Sequence, residues 1–146
     1  MIDPDNVPDV KLDETVARFI FKKKQWYAET GAPKPSLFCP YKHVDLSVNR
    51  HRDCTDNEIW EFGKGIAEFR GDDLFGRCDI AVADCTFESL KIIAKPIKDD
   101  PKGVPDNPNH ADIVGFPKKK EDQMSLAQKL AAKASSRILP PSDSVT

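Results

Sequence analysis

The stretch Asp45-Leu-Ser-Val-Asn-Arg-His-Arg-Asp-Cys-Thr-Asp-Asn-Glu-Ile-Trp-Glu-Phe-Gly-Lys-Gly-Ile-Ala-Glu-Phe-Arg-Gly71 holds both periodicities that decide the fold. Over Asp45 to Arg50, apolar Leu46 and Val48 alternate with polar Ser47 and Asn49, which predicts a half-buried strand. Thr55-Asp-Asn-Glu58 then has the form of a capping box, in which hydroxyl and carboxylate each satisfy a backbone N–H that the first turn leaves open. The period changes there from two to 3.6. Ile59, Phe62, Ile66 and Phe69 recur at helical spacing, and Gly71 sits where a left-handed cap ends a helix, predicting one over 55–70.

Working outward, Val16-Ala-Arg-Phe-Ile-Phe21 reads as a strand, with a helix opening at Asp13 as the alternative. Leu74 to Phe87 reads as a strand covered on both faces, and Leu90 to Pro96 as its hairpin partner. Ala111 to Phe116 adds a further strand. Met124, Ala127, Leu130, Ala131 and Ala134 fall at helical spacing and predict a closing helix over 121–137. Strands and helices do not alternate regularly, so the expected class is α+β: one domain, a mainly antiparallel sheet of about five strands, packed by two helices.

Twelve prolines punctuate the 146 residues, and none falls between 41 and 95, so the core elements are expected in that window. Residues 98–109 carry turn formers and almost no apolar side chain, predicting a surface loop. The domain is expected over 12–138, with disordered tails at 1–11 and 139–146. Hydrophobic residues make up 39% and charged ones 32%, which leaves material for a core and excludes a membrane span. The net charge of −2 argues against capture of nucleic acid by the whole molecule, so such contact needs a local basic patch. An acidic, proline-bearing start without an apolar run predicts a cytoplasmic protein with reduced thiols at Cys39, Cys54, Cys78 and Cys85.

Four spacings bear on chemistry. Cys39, His43, His51 and Cys54 supply a Cys2His2 donor set, but a strand between the pairs puts its ends roughly 20 Å apart, so no metal is expected and the quartet stays an outside alternative. Cys78 and Cys85, seven apart, would point to opposite faces of one strand and fill the core. His51, Arg77 and His110 lie at element ends. Two imidazoles and a guanidinium suffice for metal-free phosphodiester cleavage: one base, one acid, one cation for the phosphate. The blander reading has Arg77 pairing with Asp79 or the Asp72-Asp73 turn, His51 half exposed and His110 capping a turn. Finally, Lys22, Lys23, Lys24 and Trp26, with Arg52 as a further binding candidate, offer cations and a ring to a partner or to single-stranded nucleic acid, although such runs are more often solvated. Glycine-rich phosphate loops, nucleophile elbows and HExxH are missing, and no cofactor is expected.

The pattern Leu46-Ser-Val-Asn-Arg-His51, Leu74-Phe-Gly-Arg-Cys-Asp79 and Asn107-Pro-Asn-His-Ala-Asp-Ile-Val-Gly-Phe-Pro117 resembles a group of short bacterial proteins without an established activity, over about residues 16–135. The resemblance implies a bacterial cytosolic setting and an accessory role within an operon, in defence against mobile DNA; it assigns no catalytic residue. The expected function is therefore that of a small interaction protein, offering a sheet edge and its long loop to a protein partner. The alternative is a metal-independent ribonuclease or transferase using His51, His110 and Arg77.

Overall fold

The computed structural model describes residue 3, residues 5–41 and residues 44–141. Five strands form one sheet: β1 (Thr15–Ile20), β2 (Leu46–Arg50), β3 (Gly76–Ala81), β4 (Lys91–Ala94) and β5 (His110–Val114). Their order is β3-β1-β2-β5-β4, and every neighbouring pair is antiparallel. Three helices accompany them: α1 (Asp56–Arg70), α2 (Val82–Phe87) and α3 (Lys120–Lys133). The protein is an α+β domain with one antiparallel sheet, and it has one helix more than the periodicity foretells. No helix among the described residues is long and apolar enough to cross a membrane.

Alternation divides each strand between two faces. On one face Val16, Ile20, Leu46, Val48, Cys78, Ile80, Ile92 and Ile113 meet Leu37 and Phe38 from a 3-10 turn and Ala127, Leu130 and Ala131 from α3, forming the main core. Helix α1 sits on the other face, where the Trp60 ring lies 6.5 Å from that of Phe19. The capping box at Thr55 and Glu58 forms as expected, and Gly71 closes the helix at φ +71°. The buried stripe differs from the expected one: it is Ile59, Trp60, Gly63 and Ala67, while Phe69 is exposed. Gly63 decides this, because its bare Cα lets the helix rest directly on the Phe19 ring.

Three further expectations are corrected. Residues 74–87 are not one strand: pairing with β1 ends where Thr15 faces Ala81, and the chain then turns into α2, with the Val82 N–H bonded to the Glu14 carbonyl. Cys85 therefore lies on a helix, buried in the same core as Cys78. Residues 90–96 do not pair with that strand either. Helix α2 carries the chain across the sheet, so β4 pairs β5 at the edge opposite β3. Helix α3 stops at Lys133 rather than 137 because the next residues serve the edge of β3: Ser135 N–H donates to the Asp79 carbonyl, and Ile138 bridges Arg77 in both directions.

Of the expected tails, residues 142–146 lie outside the described residues. At the other end, Pro8 and Asp9 accept bonds from buried Arg50, and Val10 packs against the core.

Candidate functional site

Arg77 and Asp79 are two apart on β3 and so share the face beneath α1. His51 follows β2 directly and reaches across β1, its Nε2 standing 3.1 Å from Asp79 Oδ1. Arg77 Nε donates to the same carboxylate oxygen at 3.1 Å, while Nη2 donates to Asp56 Oδ1 at 2.8 Å. The guanidinium carbon lies 4.8 Å from the Trp60 ring centroid. Arg77 is buried, and its Nη1 has no bonding partner among the described residues. The bond from Arg77 holds the Asp56 carboxyl below the usual carboxylate range. With a proton on Nε2 donated to Asp79, Nδ1 of His51 is the basic nitrogen, and no described group engages it.

His110 is not part of that cluster. It opens β5, its Nδ1 is 2.9 Å from the Lys95 carbonyl, and its Nε2 is 3.8 Å from Asp112. The register places Asp79, Ala17, Asn49 and His110 in one row across β3, β1, β2 and β5. Three strand spacings separate Asp79 from His110, about 14 Å. The structure thus joins His51 to Arg77 through Asp79 and anchors His110 on the same face of the sheet, three strands away from Asp79.

Arg52 is also engaged: Nε and Nη2 both reach Asn109 Oδ1, at 3.1 and 2.9 Å. Asn109 is fully buried, and Asn107 beside it donates to Asn49 Oδ1 at 2.6 Å. The end of the expected surface loop is therefore a buried amide network. Reading Asn107-Pro-Asn109 only as turn formers misses it. The Asn side chain that favours turns does so by bonding backbone, and here Asn109 Nδ2 bonds the Arg52 carbonyl at 2.7 Å.

Lys22, Lys23 and Lys24 are exposed around a 3-10 turn. Trp26 is half-buried, with Phe75 at 5.7 Å and the Arg137 guanidinium at 4.2 Å on its ring, which leaves little free face for a base to stack on. Within the zinc quartet, Cys54 Sγ accepts from Asn109 and His51 is held by Asp79, while Cys39 is buried in the main core. His43 lies outside the described residues. Among the described residues no three His, Cys, Asp or Glu groups converge to hold a metal.

Two concavities lie elsewhere. A groove of about 450 Å³ runs beside β4, between Val10 and Leu12 of the N-terminal segment and Val82 and Thr86 of α2. A larger open cleft of about 900 Å³ lies where β1 and β2 part. These strands pair only at Val16–Arg50 and Ala17–Asn49. Beyond that point Arg18 fills the gap, its Nε bonded to the Leu37 carbonyl and its Nη1 to that of Ser47, both at 2.9 Å. No sequence signal marks either feature, since both arise from where strands stop pairing. No family model matches the chain, and neither the curated proteins nor the solved structures yield a match to it.

Proposed function

We propose that the protein is an accessory interaction module that takes an extended segment of a partner protein as a sixth strand beside β4. One observation carries the reading: β4 ends the sheet, and among the described residues its outer edge pairs with nothing. The Lys95 N–H bonds the His110 carbonyl, so alternation turns the N–H and C=O groups of Ile92 and Ala94 outward. An edge of this kind is a template for strand addition, in which main-chain bonds give affinity and side-chain pockets give specificity. The adjoining groove supplies the pocket. Its wall residues Leu12 and Ile93 are 62% and 41% exposed, an apolar surface that a partner's alternating apolar side chains would cover. The loop that leaves β4 at residue 95 adds a polar rim.

A nuclease reading has less support. Its two imidazoles must reach one phosphodiester, yet they are fastened to Asp79 and to the Lys95 carbonyl.

Selection from a displayed library of random peptides tests the strand-addition reading. Selected peptides should alternate apolar residues and slow hydrogen exchange at Ile92 and Ala94. Ala94→Pro, which removes one outward N–H and leaves the β5 ladder intact, should abolish their binding while the fold persists. Peptides that bind the variant equally well, or protect another part of the chain, would refute it.

A further inference from the structure

We propose that the cleft between the parted ends of β1 and β2 is a binding site for a mononucleotide, its phosphate held by Arg18 and Arg70 and its base laid against the cleft's aromatic rings. The reading is independent of the β4 edge, which lies at the far side of β5.

The cation side comes first. Arg18 has no carboxylate partner among the described residues: its Nε and Nη1 are taken by two carbonyls, and Nη2 is left for a ligand. Those carbonyls fix the plane of the guanidinium, so a charge-assisted contact from Nη2 to phosphate costs little further ordering. Arg70 stands close enough to repel it. Burial and the Arg70 charge together push the Arg18 pKa down to about 10, which still leaves it a cation at neutral pH. Arg70 is partly exposed, held through Nε by Asp72 at 3.1 Å, and Lys22 joins the rim. Two guanidinia facing one cavity are more stable with an anion between them.

The ring side follows. Phe19 and Phe21 line the cleft with centroids 6.4 Å apart, and the Arg70 guanidinium lies 4.7 Å from the Phe21 centroid. Tyr41, 46% exposed at φ +52°, also lines the cleft. Phe19 is wedged against Trp60 and Gly63, and Arg70 caps one face of Phe21, so the base stacks on the exposed Tyr41 ring and the remaining face of Phe21, where stacking contributes about 1 to 3 kcal/mol per base. Asp45 and Asp112 also line the cleft. Carboxylates repel a phosphate but accept from ribose hydroxyls and base amino groups, so they favour a nucleotide over a simple dianion. The size agrees as well, since small-ligand pockets run from about 300 to 1,000 Å³.

Isothermal titration with AMP, GMP, CMP and UMP, the corresponding nucleosides, inorganic phosphate and a ten-nucleotide single strand tests the proposal. At least one mononucleotide should bind, with its nucleoside and inorganic phosphate each about tenfold weaker or worse. Arg70→Ala should weaken that nucleotide about tenfold at an unchanged melting temperature. Because Arg18 also ties strand ends together, its variants are replaced by a readout on the wild-type chain: amide shifts at Phe19, Phe21 and Tyr41 on titration. Four outcomes overturn the proposal: no mononucleotide binding at millimolar concentration, equal binding of nucleoside and nucleotide, binding of the oligonucleotide alone, or shifts confined to other residues.

Discussion

The guanidinium of Arg50 and the carboxylate of Glu14 meet edge to edge, with Nε to Oε1 and Nη2 to Oε2 both at 2.7 Å. Arg50 is wholly buried and also donates to the Pro8 and Asp9 carbonyls, so one side chain ties β2, the entry to β1 and the N-terminal segment. Removing one partner strands a charge in the interior, which costs far more than the pair contributes over an apolar replacement. Glu14→Ala should lower unfolding free energy by about 3 to 5 kcal/mol in urea titration. An unchanged denaturation midpoint would refute this role.

The same pair sets a pH dependence. Burial raises the Glu14 carboxyl, but the bonds from Arg50 and the Lys11 N–H, with the charges of Arg50 and Arg52, outweigh it and hold the group below its ordinary 4.5. A carboxyl depressed in the folded state contributes stability that is complete above the unfolded value and is lost as pH falls through the folded one. Between about pH 5 and pH 2 the wild type should therefore lose more stability than Glu14→Gln, which has nothing to protonate there. Parallel profiles would show that Glu14 is not the group responsible.

Gly63→Ala sets two effects against each other. Alanine in a helix interior is favoured over glycine by about 1 kcal/mol. Against this, the new Cβ would stand 2.7 Å from Phe19 Cε1 and 2.9 Å from Cδ1, and that ring is wedged between Phe21 and Trp60. Overpacking of this kind costs about 1 to 3 kcal/mol, so the sum should be destabilising and should reach the Trp60 environment. A lower melting temperature with altered tryptophan fluorescence is the expected result; a stabilised variant would mean that α1 is not seated on Phe19.

The parts of this fold legible in the sequence are those set by local chemistry. The capping box at Thr55, the Leu46–Val48 alternation and the Gly71 cap depend on residues within a few positions of one another, and all three stand as read. The switch from β3 to α2 was not legible. Ala81-Val-Ala-Asp-Cys85 alternates as well for a strand as for a helix turn, and only the end of the β1 ladder decides between them. Strand order is likewise non-local: His51 and Asp79 are 28 positions apart, Asn49 and Asn107 are 58 apart, and no spacing in the chain announces either contact. The cleft is less legible still, because it exists where β1 and β2 fail to pair.

Thiol chemistry offers a separate check. Burial, and then the neighbouring Asp79 charge, push the Cys78 thiol up to about 12; burial and Asp84 do the same at Cys85. The thiolate is the reactive form, so both should resist Ellman's reagent in the native protein at about pH 8 and react only on unfolding. Cys54 is only half-buried. Burial and Glu58 raise it as well, so it should react slowly and before the other two. Fast stoichiometric labelling of Cys78 or Cys85 would contradict the core assigned to them.

His110→Ala separates structure from catalysis. The ring Nδ1–H donates to the Lys95 carbonyl, at the junction between β4 and the 95–109 loop, and its removal leaves that carbonyl without its side-chain partner. The expected cost is about 0.5 to 1.5 kcal/mol, the ordinary net worth of one hydrogen bond. A two-histidine nuclease makes the opposite forecast: turnover abolished and stability untouched, because the imidazole would then be held for the reaction and not for the strand. Fluorogenic RNA incubated with wild type, His51→Ala and His110→Ala decides between them. The interaction reading expects no cleavage that depends on either histidine, together with a lowered melting temperature for His110→Ala. Cleavage lost in both variants at unchanged stability would reverse the assignment and make the His51–Asp79 pair the base of an active site.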